Sequence, residues 1–232
     1  MSSKPERHWS RIVLQLNIRP EEDRPLRVLC LGAHSDDIEI GCGASLAALS
    51  QGRSALDMRW VVFSGNEARH EEARRSFECW SSDVERGKLD LHDFRDGFFP
   101  DQWALIKERF IRLKDAFEPD ILFTHFREDL HQDHRVVNEL TWNCFRDHLV
   151  LEYEVPKYDG DMGRPNFFIP VSEGQANAKV AALTKHFGSQ RSKQWFSKEL
   201  FLGLMRLRGA EAGSASGYAE AFHSRKSCLK IR

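Results

Sequence analysis

Residues 27–43 read RVLCLGAHSDDIEIGCG. The run opens on a short apolar, partly β-branched stretch, 27–33, which ends at Gly32 and a polar cluster. Residues 39–51 then carry small and apolar residues at helical spacing up to Gly52. The reading is strand, loop, helix, and the same signal returns downstream. Residues 56–64 (LDMRWVVFS) repeat the strand, and 66–86 repeat the helix with charges on one side, as in a crossover helix lying on a sheet. After the turn-rich stretch 93–101 (DFRDGFFPD), residues 102–117 place Ile106, Phe110, Leu113 and Phe117 at helical spacing. Pro119 stops that helix before a strand over 120–125 (DILFTH). A helix over 134–147, a strand over 149–155, a Gly/Asp/Pro loop over 157–166 and a strand over 167–171 follow, then a helical tail. Strands alternating with helices at this period predict an α/β fold: a doubly wound, mostly parallel sheet sandwiched by helices (Rossmann-like), in a single domain.

Composition narrows the function classes. A chain of 232 residues with 41% hydrophobic and 30% charged residues builds one globular core. Lys and Arg number 34 against 35 Asp and Glu, so no overall field recruits nucleic acid or an anionic membrane. Residues 1–20 are polar, with Trp9, Ile12, Val13, Leu14 and Leu16 scattered among charges, and lack the apolar core of a secretory signal. No apolar run approaches the ~18 residues that suggest a membrane span. The five cysteines (Cys30, Cys42, Cys79, Cys144, Cys228) are odd in number, widely spaced and without a CxxC pair, which suits a reducing cytoplasm. A homo-oligomer is left open.

In open α/β sheets ligands bind at the carboxyl ends of the strands. Two such ends are rich in metal-ligand side chains: Ala33-His34-Ser35-Asp36-Asp37-Ile38-Glu39, and residues 125–135, HFREDLHQDHR. A catalytic zinc takes three nitrogen or oxygen ligands, often two histidines and a carboxylate, and keeps one position open. His34, Asp37 and His134 supply that set, with Asp36 near the metal as base rather than ligand. His131 and His134, three apart, share a face if both lie on a first helical turn. Asp133 is placed to hydrogen-bond the far nitrogen of a histidine. Either cluster alone is equally readable as a capping and salt-bridge network; together they are harder to explain without a cation, because crowded carboxylates repel. A competing signal, Gly41-Cys42-Gly43, is similar to a dinucleotide-binding fingerprint, but Leu46 holds the third glycine position and the first glycine comes nine residues after Gly32.

These residues resemble the zinc-dependent PIG-L/LmbE-like deacetylases, which remove an N-acetyl group from N-acetylglucosamine-containing substrates. AHSDDIEIGCG at 33–43 is similar to the family's AHPDDE opening and glycine pair, with Ser35 where proline is usual. REDLHQDHR at 127–135 resembles its second signature, Arg69 and Glu72 match an Arg-x-x-Glu pattern, and YAEAF at 218–222 resembles its closing motif. The resemblance implies residues 26–232 as the deacetylase domain, with 1–25 an N-terminal extension. It also implies Zn2+ on His34, Asp37 and His134, Asp36 as general base, and a protonated, electrophilic His131 oriented by Asp133. Arg69 and Asp96 fall where family members touch the sugar. Some relatives carry a tyrosine two residues before the electrophilic histidine; here that position is Asp129. The implied partner is a small amino-sugar substrate, with no nucleic acid and no membrane span. A metal-dependent amidase of a larger amide, or a nucleotide-binding module without catalysis, are the alternatives.

Overall fold

A computed structural model describes residues 16, 24–51, 55–82 and 84–228. Among them the chain forms β1 (Leu26–Gly32), α1 (Asp37–Gln51), β2 (Leu56–Val62), α2 (Glu67–Ser81), β3 (Arg86–Leu91), α3 (Trp103–Ala116) and β4 (Ile121–His125). It continues with α4 (Gln132–Cys144), β5 (Leu149–Tyr153), β6 (Phe167–Val171), α5 (Glu173–His186), α6 (Lys198–Glu211) and β7 (Tyr218–His223). One sheet contains all these strands in the order β3-β2-β1-β4-β5-β7-β6. Strands β1 to β5 run parallel, and β7 pairs antiparallel with both β5 and β6. This is the expected mostly parallel, doubly wound sheet.

The central strands are apolar on both faces because both faces are covered. On β1, Val28 and Cys30 enter a core shared with α1, α2, α5 and α6, while Leu29 and Leu31 enter a second core with α3 and α4. The chain order turns back between β1 and β4: β2 and β3 extend the sheet on one side of β1, and β4 and β5 on the other. Such a switch point leaves a crevice at the strand carboxyl ends.

Two expectations are corrected. The helix predicted over 66–86 stops at Ser81, and Arg86 starts the edge strand β3. An edge strand needs no continuous apolar run, and the alternation in RGKLDL blends into the charged face of the preceding helix. The tail is not all helical, because it ends in β7, whose buried Glu220 interrupts an otherwise strand-like pattern. Glu220 accepts from the backbone N–H groups of Ala44 (3.1 Å) and Ser45 (2.7 Å) and pairs with buried Lys179 at 2.5 Å. Lys179 in turn donates to the Ile40 carbonyl.

The Gly41-Cys42-Gly43 run lies inside α1, not in the turn after β1 where a phosphate would sit. A Cβ on Gly41 would come within 2.2 Å of the Tyr153 ring, so this glycine lets α1 pack against β5. Most of the expected extension over 1–25, and Gly52 after α1, lie outside the described residues. Among the described residues no helix is long and apolar enough to cross a membrane.

Candidate active site

The loop after β1 and the start of α4 meet at the switch point. His34 and Asp37 come from the first, and His131, Asp133 and His134 from the second. In the turn leaving β1, the His34 N–H donates to Asp37 Oδ2 at 2.6 Å, which folds the Asp37 carboxylate back under the His34 ring. Three buried ligand atoms then face one another. His34 Nδ1 lies 3.2 Å from His134 Nε2 and 3.3 Å from Asp37 Oδ2, and His134 Nε2 lies 3.5 Å from Asp37 Oδ1.

The remaining ring nitrogens show which lone pairs face inward. His134 Nδ1 lies 2.8 Å from Asp129 Oδ2, so it carries the proton and donates, leaving Nε2 bare. His34 Nε2 donates to Asp96 (3.1 Å) and Asp133 (3.3 Å), leaving Nδ1 bare. Two lone pairs and a carboxylate pointed at one spot repel unless a cation lies between them. An ion with ligand distances of about 2.0–2.2 Å in tetrahedral geometry spaces its donors by about 3.3–3.6 Å. The donor set therefore fits a divalent metal. Burial opposes a charge on His34, yet Asp37, Asp133 and Asp96 outweigh that and raise its pKa well above the usual imidazole value, so a proton competes with a metal for Nδ1. Burial, joined by His125, pulls His134 down to about 3 against the pull of Asp37 and Asp129.

Asp36, next in sequence, is not part of this ligand set but lines the same cavity. Its Oδ1 receives the Arg69 guanidinium at 2.5 Å, and burial raises its pKa although Arg69 opposes the rise. Arg69, expected on the sugar, is thus engaged with Asp36. Asp96 sits on His34 while its side chain stays 61% exposed at the rim. The hydrogen bond from His34 is the main cause that holds its pKa down to about 2.

The carboxylate of Asp133 hydrogen-bonds the far nitrogen of a histidine, and that ring is His34 rather than His131. This buried carboxylate accepts from the N–H groups of Gly97 (2.6 Å) and Phe99 (3.1 Å) and from His34, anchoring the loop after β3 that carries Asp96. Gly97 reaches it with φ of 80°, a left-handed conformation that suits glycine. His131 is not on the first turn of α4 but caps it: its Nδ1 accepts from the Asp133 backbone N–H at 3.3 Å. With Nδ1 accepting, the ring proton sits on Nε2, and burial and the neighbouring His34 lower the pKa of His131.

Several residues of the site were given no role by the sequence reading. Asp129 accepts from His134 Nδ1 and from the His131 N–H (2.8 Å), and it pairs with Lys157 at 2.9 Å. Lys157 is also held by Asp161 at 2.6 Å, tying the 157–166 loop to the signature. His125, the last residue of β4, stacks on the His134 ring at 3.8 Å and accepts from the Ala33 N–H at 2.9 Å. A cavity of about 100 Å³ opens above the cluster, and Lys157, Lys193 and Trp195 complete its wall. Asp129 and His125 lay within the ligand-rich stretch 125–135; Lys157, Lys193 and Trp195 reach the site through folding.

Comparison with known proteins agrees with this geometry. Residues 29–145 match the model of the GlcNAc-PI de-N-acetylase (PIG-L) family. The uncharacterized deacetylase YaiS of Escherichia coli (strain K12) is 32% identical over 168 residues, which cover 68% of this chain and 89% of that protein. Among solved structures, the N,N'-diacetylchitobiose deacetylase from Pyrococcus horikoshii superposes with a TM-score of 0.63 at 19% identity, covering 85% of this chain and 82% of that one. GalB, the 4-carboxy-2-hydroxymuconate hydratase from Pseudomonas putida KT2440, has a TM-score of 0.66 at 19% identity, covering 89% and 99%. The fold thus hosts more than one reaction. Both the match over the signature-bearing half of the chain and the likeness to YaiS place this chain in the PIG-L family of de-N-acetylases.

Proposed function

We propose that the protein is a zinc-dependent hydrolase that removes the N-acetyl group from an N-acetylglucosamine-type amino sugar or its conjugate. The observation that carries this reading is the convergence of His34 Nδ1, His134 Nε2 and the Asp37 carboxylate, none more than 3.5 Å from the next, with Asp36 lining the same cavity and paired to Arg69. A zinc ion held by His34, Asp37 and His134 supplies Lewis acidity for activating water and polarising an acetyl carbonyl.

Asp36 takes the proton of the attacking water. Burial raises its pKa, which strengthens it as a base, and Arg69 holds one carboxylate oxygen. His131 presents its Nε2–H to the carbonyl oxygen, where negative charge develops, and the backbone N–H at its Nδ1 holds that tautomer. Asp36 then returns the proton to the leaving amine. The products are acetate and a free amino sugar. Asp96, at the rim, accepts from a sugar hydroxyl. A cavity of about 100 Å³ over the cluster leaves room for an acetyl group. Five free cysteines fit a cytoplasmic enzyme.

The test is metal analysis of the purified protein joined to an acetate-release screen over N-acetylhexosamine derivatives. About one zinc per chain and chelator-sensitive acetate release are expected. Absence of divalent metal with chelator-insensitive turnover, or turnover of peptide amides or nucleotides while N-acetyl sugars stay inert, would overturn the reading.

A further inference from the structure

Behind His134 lies a buried chain of charges that takes no part in the chemistry of Asp36 and His131. Asp129 Oδ1 accepts from the His131 backbone N–H at 2.8 Å, so one oxygen of this carboxylate is engaged by its own turn. The other oxygen is shared. Asp129 Oδ2 takes the Nδ1–H of His134 at 2.8 Å and the ammonium of Lys157 at 2.9 Å. Lys157 comes from the loop after β5, where Asp161 holds it at 2.6 Å while also accepting from the Leu130 N–H at 2.7 Å. Asp159 stands farther off, at 3.8 Å, and is exposed. The side chains of Asp129, Lys157 and Asp161 are only 4%, 9% and 5% exposed, so water and salt screen these charges little.

We infer that Lys157 is a positioning residue that tunes the metal centre: it draws the charge of Asp129 off His134, keeping that histidine a weaker donor and the bound ion a stronger Lewis acid. A carboxylate on the far N–H of a ligating imidazole raises the basicity of the ring and tightens its hold on the metal. A cation on the same carboxylate oxygen competes for its lone pairs and offsets part of its charge, an effect that grows with burial. Asp129 does not depend on Lys157 for its place, because its Oδ1 stays on the His131 N–H and its own N–H on the Phe126 carbonyl at 3.2 Å. Tuning and mere support therefore predict opposite signs: loss of the lysine charge tightens metal binding under the first and loosens it under the second. This inference rests on the metal centre of the proposed deacetylase.

The experiment uses the full-length protein with zinc as the probe. Zinc affinity is read by competition with a chelator, and kcat on whichever N-acetylhexosamine derivative releases acetate fastest. Two variants are compared: Lys157→Met, and Lys157→Met with Asp161→Asn, which restores the net charge of the cluster and leaves the Leu130 N–H an acceptor. In both, the Kd for zinc should fall roughly threefold to tenfold, part of the 10–100-fold that such outer partners are worth. The kcat should drop by a comparable factor. Asp129→Asn should move zinc affinity the other way. In the metal-free protein the proton resonance of His134 Nδ1–H should shift downfield in both lysine variants, since the carboxylate it meets is no longer shared. Zinc affinity that falls or stays unchanged in both variants would overturn the inference. A wild type that binds no zinc removes the deacetylase reading instead, and an unshifted resonance in the metal-free variants removes this one.

Discussion

Because Asp36 meets a guanidinium while Asp37 meets three imidazoles, these neighbours should respond differently to the same change. Asp36→Asn is expected to keep full metal content while kcat falls by about 10²–10⁴, the usual worth of a general base. His134→Ala is expected to lose the metal outright. Elemental analysis beside turnover decides the point, and an Asp36→Asn protein stripped of metal would void the base assignment. Glu39, two residues on, is wholly buried with both carboxylate oxygens unpartnered, and burial pushes its pKa up to about 8. A carboxyl whose folded pKa lies above its unfolded value costs no stability below the unfolded pKa, and the cost grows as pH rises towards the folded one. Glu39→Gln should therefore match the wild type at pH 4 and exceed it by about 2–3 kcal/mol at pH 7. Denaturant melts across that range read it, and a constant offset would mean that Glu39 is ionised in the folded protein.

At the scale of elements, α1 is the piece whose placement matters most, since its first residue is Asp37. Its position depends on Gly41 against Tyr153 and on the Lys179–Glu220 pair bound to its backbone. Gly41→Ala forces a methyl to within 2.2 Å of a buried ring and should cost about 1–3 kcal/mol or more, with loss of metal affinity as Asp37 shifts. Gly43→Ala, whose nearest neighbour would lie at 3.4 Å, should be tolerated. Thermal melts of the two variants make the comparison, and equal destabilisation would show that α1 is not wedged at Tyr153. These elements also differ in how legible they are. The doubly covered strands β1, β2 and β4 announce themselves as apolar runs. The edge strand β3 and the antiparallel β7 do not, because a half-exposed edge and a strand bearing a buried glutamate lack that pattern.

For the molecule as a whole, the metal would join the two sides of the switch point, since its ligands come from the β1 loop and from α4, about a hundred residues apart. A ligand bound only by the folded state at a thousandfold above its Kd adds about 4 kcal/mol, roughly 8–16 °C in Tm for a chain of this size. Chelation should remove that increment from wild type and from Asp36→Asn but leave His134→Ala unmoved, which calorimetry with and without chelator checks. A wild-type Tm indifferent to chelator would mean that no metal bridges the two loops. The sequence alone determined the alternation of strand and helix and the two clusters of ligand side chains, because apolar periodicity and short-range spacing are local properties. It also raised the expectation that Asp36 and Asp37 split into base and ligand. Only the tertiary structure decided that Asp133 serves the β3 loop and His34, that Arg69 is held by Asp36, that Asp129 and Lys157 stand behind His134, and that Trp195 lines the cavity. Those contacts join residues far apart in the chain or depend on which way a side chain turns, and such pairings exist only once the sheet has brought its carboxyl edges together.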